Sequence, residues 1–228
     1  MAENDNTNEL LAINICFLPE PSSEFSIRSL ELNQKINEIN SESFKFSETR
    51  EPHLTIVQAF IKTNQLSVII NTINNQLSQL SSCLPVLKSA GIVSGPNFDG
   101  NYSPQIKFEL DENLIKFHQK LIEIIRPFRI ITAEEEGTEN SSVIKNSFFT
   151  VDGDFASSST IDWVNNFESK NALENYNPHI TLGSADQKNI EEICQWPVTS
   201  SEWNPRELFI YQLGNKGVVR KELARISL

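Results

Sequence analysis

The chain has 228 residues and a mass of 25.8 kDa, with 39% hydrophobic and 21% charged residues, enough apolar material for a substantial core. A formal charge of -11 excludes a protein that coats long nucleic acid by neutralising phosphates, yet it allows a small anionic ligand in a local pocket. No apolar run approaches the ~18 residues of a membrane span. The polar, acidic opening MAENDNTNEL lacks a basic start followed by an apolar stretch, so the expectation is a cytoplasmic monomer, residues 1–228 folding as one unit.

In chain order, the apolar run from Leu10 to Leu18 reads as a buried strand ended by prolines. Phe25, Ile27, Leu30, Leu32, Ile36 and Ile39 recur near helical spacing behind Ser22 or Ser23, predicting an amphipathic helix. The segment Glu51 to Ile61 is extended, with Leu54, Ile56 and Gln58 on one side and His53, Thr55 and Val57 on the other. A second helix is expected over Asn64 to Leu80. The order then returns: an apolar LPVLKSAGIVSG, a loop PNFDGN, an extended YSPQIKFEL, and a helix from Glu112 to Ile125 behind a capping Asp111. Residues 133–142, AEEEGTENSS, have neither an apolar face nor balancing charge and read as a long exposed acidic loop. VIKNSFFTVDG is predicted as a strand and Thr160 to Phe167 as a helix. The two alternating runs around GNKG predict a closing hairpin.

Cys16, Cys83 and Cys194 are too few and too scattered for a disulfide framework and are expected as buried thiols. The chemistry lies elsewhere, in a repeated pentad: PHLTI at 52–56 and PHITL at 178–182. In a strand, residues two apart share a face at ~6.6–6.8 Å, so each histidine points the same way as its threonine while the residue between enters the core. Proline suits the first position of a strand. One His-x-Thr is a weak pattern that usually means nothing; two Pro-His-x-Thr matches in a chain with three histidines are poorly explained by chance. Two imidazoles with ordinary pKa values near ~6.5 can divide a proton transfer, one accepting and one donating, while the two hydroxyls hydrogen-bond to phosphate oxygens. Two histidines without a nearby carboxylate or cysteine fall short of the three protein ligands usual at catalytic zinc, so neither metal nor cofactor is expected.

PHLTI and PHITL resemble the paired His-x-Thr motifs of the 2H phosphoesterase superfamily, which includes 2′-5′ RNA ligase-like proteins and cyclic nucleotide phosphodiesterases. The resemblance extends to the first strand, the helices before each motif and the closing hairpin. It implies an α+β fold in which two antiparallel-sheet lobes with flanking helices face each other across a cleft, each supplying one motif. It implies His53 and His179 as acid and base, without saying which is which, and Thr55 and Thr181 as phosphate binders. The implied activity is a metal-independent phosphodiesterase on 2′,3′-cyclic phosphates, 2′-5′ linkages or cyclic oligonucleotides. The implied partner is a small nucleotide, a cyclic oligonucleotide or an RNA end, with no membrane. The alternative is a module that binds a nucleotide or RNA end in the same cleft without turning it over. Family members commonly stack a base on an aromatic ring beside the cleft, and Phe60, Tyr102, Phe149 and Tyr211 are the candidates, although aromatics at strand positions usually pack. Arg50 or a residue of the basic C-terminal set is a candidate second phosphate contact. His118 reads as a helix-face or partly buried histidine whose removal should matter little.

Overall fold

The computed structural model describes residues 9–95, 101–132, 142–199 and 201–228. The elements run β1 (Leu10–Phe17), α1 (Glu24–Ile39), β2 (Leu54–Lys62), α2 (Leu66–Asn75), α3 (Leu77–Ser81), β3 (Leu87–Gly95), β4 (Ser103–Phe108), α4 (Glu112–Ile125), α5 (Ser142–Asn146), α6 (Ser158–Asn165), α7 (Phe167–Lys170), β5 (His179–Thr181), α8 (Gln187–Ile193), β6 (Glu202–Trp203), β7 (Glu207–Leu213) and β8 (Val219–Ser227). Among the described residues the strands form two four-stranded antiparallel sheets, in the orders β2-β1-β7-β8 and β5-β4-β3-β6, so the fold is α+β with helices packed on the sheets. The two motif strands are therefore edge strands, and these edges are neighbours: β2 and β5 approach within 8 Å between Cα atoms.

Side-chain oxygens cap the helices as the sequence suggests. Ser23 accepts from the Ser26 N–H ahead of α1, and Asp111 from the Leu114 N–H at 2.6 Å ahead of α4, each satisfying an otherwise orphan donor. One apolar cluster joins both sheets, with Ile13, Ile15 and Phe17 of β1, Phe117 and Leu121 of α4, and Ile106 and Ile180 of the second sheet. At the β7–β8 turn, Lys216 and Gly217 both take positive φ (58° and 73°), the backbone for which GNKG supplies a glycine.

Four expectations are corrected. VIKNSFFTVDG is not a strand: Ser142–Asn146 is helical, because Ile144 and Phe148, four apart, pack together against Ala12 and Phe60. The long second helix is split, with α2 ending before Gln76 and α3 starting after it. α8 was not anticipated, although Asp186 caps it and Ile190 and Ile193 give it a buried face. In β2 the strict alternation fails at a bulge: Ile15 pairs with Val57 and Cys16 with Thr55, so Ile56 is an extra residue. The bulge turns Val57 into the core at 1% exposure and puts Thr55 on the same face as Gln58, with Asn14 and Cys16 beside them. Cys16 and Cys83 are buried free thiols, whereas Cys194 is half-buried. The acidic loop predicted at 133–142 falls almost wholly outside the described residues, Ser142 alone lying within them.

Candidate active site

Each histidine is set by the proline before it. The proline ring fixes its own φ at about −65°, which limits where the peptide plane carrying the i−2 carbonyl can lie relative to the histidine. His53 Nδ1 lies 2.9 Å from the Glu51 carbonyl and His179 Nδ1 2.7 Å from the Asn177 carbonyl. A carbonyl only accepts, so both Nδ1 atoms donate, which leaves Nε2 of each ring as the atom that takes or gives a proton. The repeated Pro-His is thus a device for fixing a tautomer. Both rings are half-buried.

Burial holds the His53 pKa down to about 4, against the opposing Glu51 carbonyl bond, and the neighbouring His179 pushes the same way. Burial also lowers His179, opposed by its bond to the Asn177 carbonyl.

Thr55 is held twice. The Asn14 amide donates to its Oγ1 at 3.1 Å, and the Tyr176 hydroxyl donates to its backbone carbonyl at 2.9 Å. With Oγ1 already accepting, the threonine proton is free to donate outward. Asn14 is fully buried, and its Oδ1 has no partner among the described residues. On β5, His179 and Thr181 stand opposite Lys107 and Gln105 of β4 and share a face with them, while Ile180 and Ile106 fill the core behind. Tyr211, opposite Asn14 on β7, donates its hydroxyl to Glu51 Oε1 at 2.9 Å; burial first and Glu51 second raise its pKa.

The aromatic candidates part company. Phe60 is fully buried and edge-on to Phe148 at 5.6 Å, so it has no face open to a base. Tyr211 is 4% exposed, within the site but engaged by Glu51. Tyr102 is half-buried against the main core and its backbone pairs with Ala185; Phe149 is half-buried beside Lys221.

His118 departs most from expectation. It is 1% exposed, stacked on Tyr176 at 3.9 Å and 5°, and bonded at both nitrogens. The Leu173 N–H donates to Nε2 at 3.0 Å, so Nδ1 carries the proton and donates to the Ile56 carbonyl at 2.8 Å. One imidazole therefore braces the β2 bulge behind Thr55 and the turn ahead of β5. Asn14 and Tyr176 escape a reading of the sequence, which also misses the bracing role of His118. The available signals were an asparagine inside the apolar run LLAINICFL and a tyrosine three residues before the second histidine.

No family model and no curated protein matches the chain. The chain aligns with several solved structures over nearly its whole length. Kluyveromyces marxianus Usb1 with uridine monophosphate aligns at a TM-score of 0.45 and 13% identity, covering 98% of each chain. The MHV ns2 PDE domain aligns at 0.44 and 12%, covering 94% of this chain and 99% of that one. A further structure described as a phosphoesterase aligns at 0.34 and 14%, covering 97% and 98%. Among the described residues, no helix is long and apolar enough to cross a membrane, and no three His, Cys, Asp or Glu side chains converge as metal ligands.

Proposed function

We propose that the chain is a phosphodiesterase of the 2H type, acting without metal on 2′,3′-cyclic phosphates, 2′-5′ linkages or cyclic oligonucleotides. The observation that carries the reading is the pair of imidazoles at neighbouring sheet edges, each pinned through Nδ1 to the i−2 carbonyl and each followed two residues later by a threonine. In this reading His53 is the base and His179 the acid, each acting through its Nε2. The attacking hydroxyl, of water or of a ribose, gives its proton to His53 Nε2 as its oxygen bonds to phosphorus. The opposite P–O bond breaks, and the departing ribose oxygen takes a proton from His179 Nε2. Exchange with solvent then resets both rings. Thr55 and Thr181 donate to the non-bridging oxygens, where negative charge grows.

The test is turnover in EDTA of 2′,3′-cyclic mononucleotides, 2′-5′ dinucleotides and cyclic di- and trinucleotides by wild type, His53→Ala and His179→Ala. We expect cleavage of at least one substrate class and a loss of at least ~100-fold in either variant. Binding of a panel member with no turnover would replace this reading with a capture module. Neither binding nor turnover would refute the substrate class.

A further inference from the structure

The segment leading into His53 carries a second cationic group. Arg220 Nη2 contacts Asp154 Oδ2 at 3.0 Å, and Arg50 Nη2 contacts the same oxygen at 3.8 Å. Among the described residues these two guanidiniums share that one carboxylate, whose other oxygen already accepts from the Asn215 amide at 2.8 Å. The Arg220 side chain is 7% exposed and its Nε has no partner, while the Arg50 side chain is 21% exposed. Two positive charges against one negative leave an unmatched positive charge in a partly desolvated place, where charges are ordinarily paired. Burial and the neighbouring Arg220 accordingly hold the Arg50 pKa below its usual value, with Asp154 opposing.

The pair is tied to the segment that leads into His53. Arg220 Nη1 reaches the Thr49 carbonyl at 3.3 Å, and two residues on, Glu51 takes the Tyr211 hydroxyl and the His53 Nδ1 proton. The hairpin turn that holds Asp154 through Asn215 also approaches Gln58, since a Cβ added at Gly217 would stand 3.6 Å from Gln58 Nε2. The Arg50 guanidinium is steadied from its other side by the Phe44 ring, 5.0 Å from the centroid. A planar guanidinium fixed in this way presents paired N–H donors that match phosphate oxygens.

We propose that Arg50 and Arg220 form a second phosphate subsite beside the reacting centre, so that the preferred substrate carries a phosphate beyond the one that is cleaved. This deepens, and rests on, the phosphodiesterase reading above. The class is a 5′-phosphorylated or oligomeric nucleotide rather than a bare 2′,3′-cyclic mononucleotide.

The experiment compares kcat/KM for 2′-5′ diadenylate and adenosine 2′,3′-cyclic phosphate, each with and without a 5′-phosphate, for wild type, Arg50→Gln and Arg50→Lys at low and high salt. Wild type should prefer the 5′-phosphorylated member about tenfold at low salt, and less at high salt. Arg50→Gln should reduce the preference to within about twofold, with Arg50→Lys between them. Absence of preference in wild type, or equal losses on both members in Arg50→Gln, would overturn the subsite. Calorimetric binding of AMP and adenosine 3′,5′-bisphosphate to the same proteins separates this failure from failure of the enzyme reading. If no substrate turns over, tighter binding of the bisphosphate that depends on Arg50 upholds the subsite and equal affinities refute it.

Discussion

Replacement of His118 by alanine is expected to be among the costliest single changes away from the two motifs, despite the 62 residues that separate His118 from Ile56. It strands the buried Ile56 carbonyl, which costs ~1–3 kcal/mol, and frees the Leu173 N–H in an exposed turn where water can replace the ring. It also removes a ring stacked on Tyr176, which contributes ~0.5–1.5 kcal/mol. Leu173 stands in left-handed backbone at φ 54°, a conformation its bond to His118 helps to hold. Together these give a loss of about 2–4 kcal/mol, a large part of the ~5–15 kcal/mol typical of a domain. Urea unfolding at pH 7.5, followed by tryptophan fluorescence, measures it. A second reading comes from titration. Burial holds His118 at about 4 in the folded chain, below the ordinary value of 6.5, against its bond to the Ile56 carbonyl. The folded state thus favours the neutral ring: the contribution is complete above pH 6.5 and is lost as pH falls toward 4. With a shift of that size it amounts to about 3 kcal/mol. His118→Phe, which keeps a ring but cannot titrate, should lose about 3 kcal/mol less stability than wild type between pH 7 and pH 4, even though His53 and His179 still titrate in both. A loss below ~1 kcal/mol in His118→Ala, or the same pH dependence in His118→Phe as in wild type, would refute the bracing role.

Asn14→Leu removes the donor that engages Thr55 Oγ1, freeing the threonine to point its proton elsewhere. We expect kcat to fall about tenfold while circular dichroism and KM change little, and an unaltered kcat would show that Thr55 needs no such partner. The pH dependence of kcat/KM follows from the two depressed imidazoles. Activity rises as His53 loses its proton near pH 4 and falls as pH passes the His179 value, which lies below 6.5, so the optimum should sit on the acidic side of 6.5. An optimum above pH 7.5 in initial-rate measurements at low substrate would contradict the assignment of His53 as base.

The sequence alone determined what is local. Proline opens the strand and the period of two puts Thr181 on the face of His179, so the register of the second motif follows from its own sequence. Capping by Ser23 and Asp111 and the hairpin at GNKG are local for the same reason. The stretch around Ile144 and Phe148 was misread because its few apolar residues fit both periods, and only packing against Ala12 and Phe60 selects the helix. Everything that brings the two motifs near each other is long-range. The adjacency of the β2 and β5 edges, the bulge at Ile56, the His118 and Tyr176 brace behind Thr55, and the Arg50–Arg220 pair join residues 41 to 170 positions apart. Burial gives those contacts their strength: one asparagine, one histidine or one arginine acquires a definite role only once tertiary packing has removed water and left each polar atom to the partners within reach.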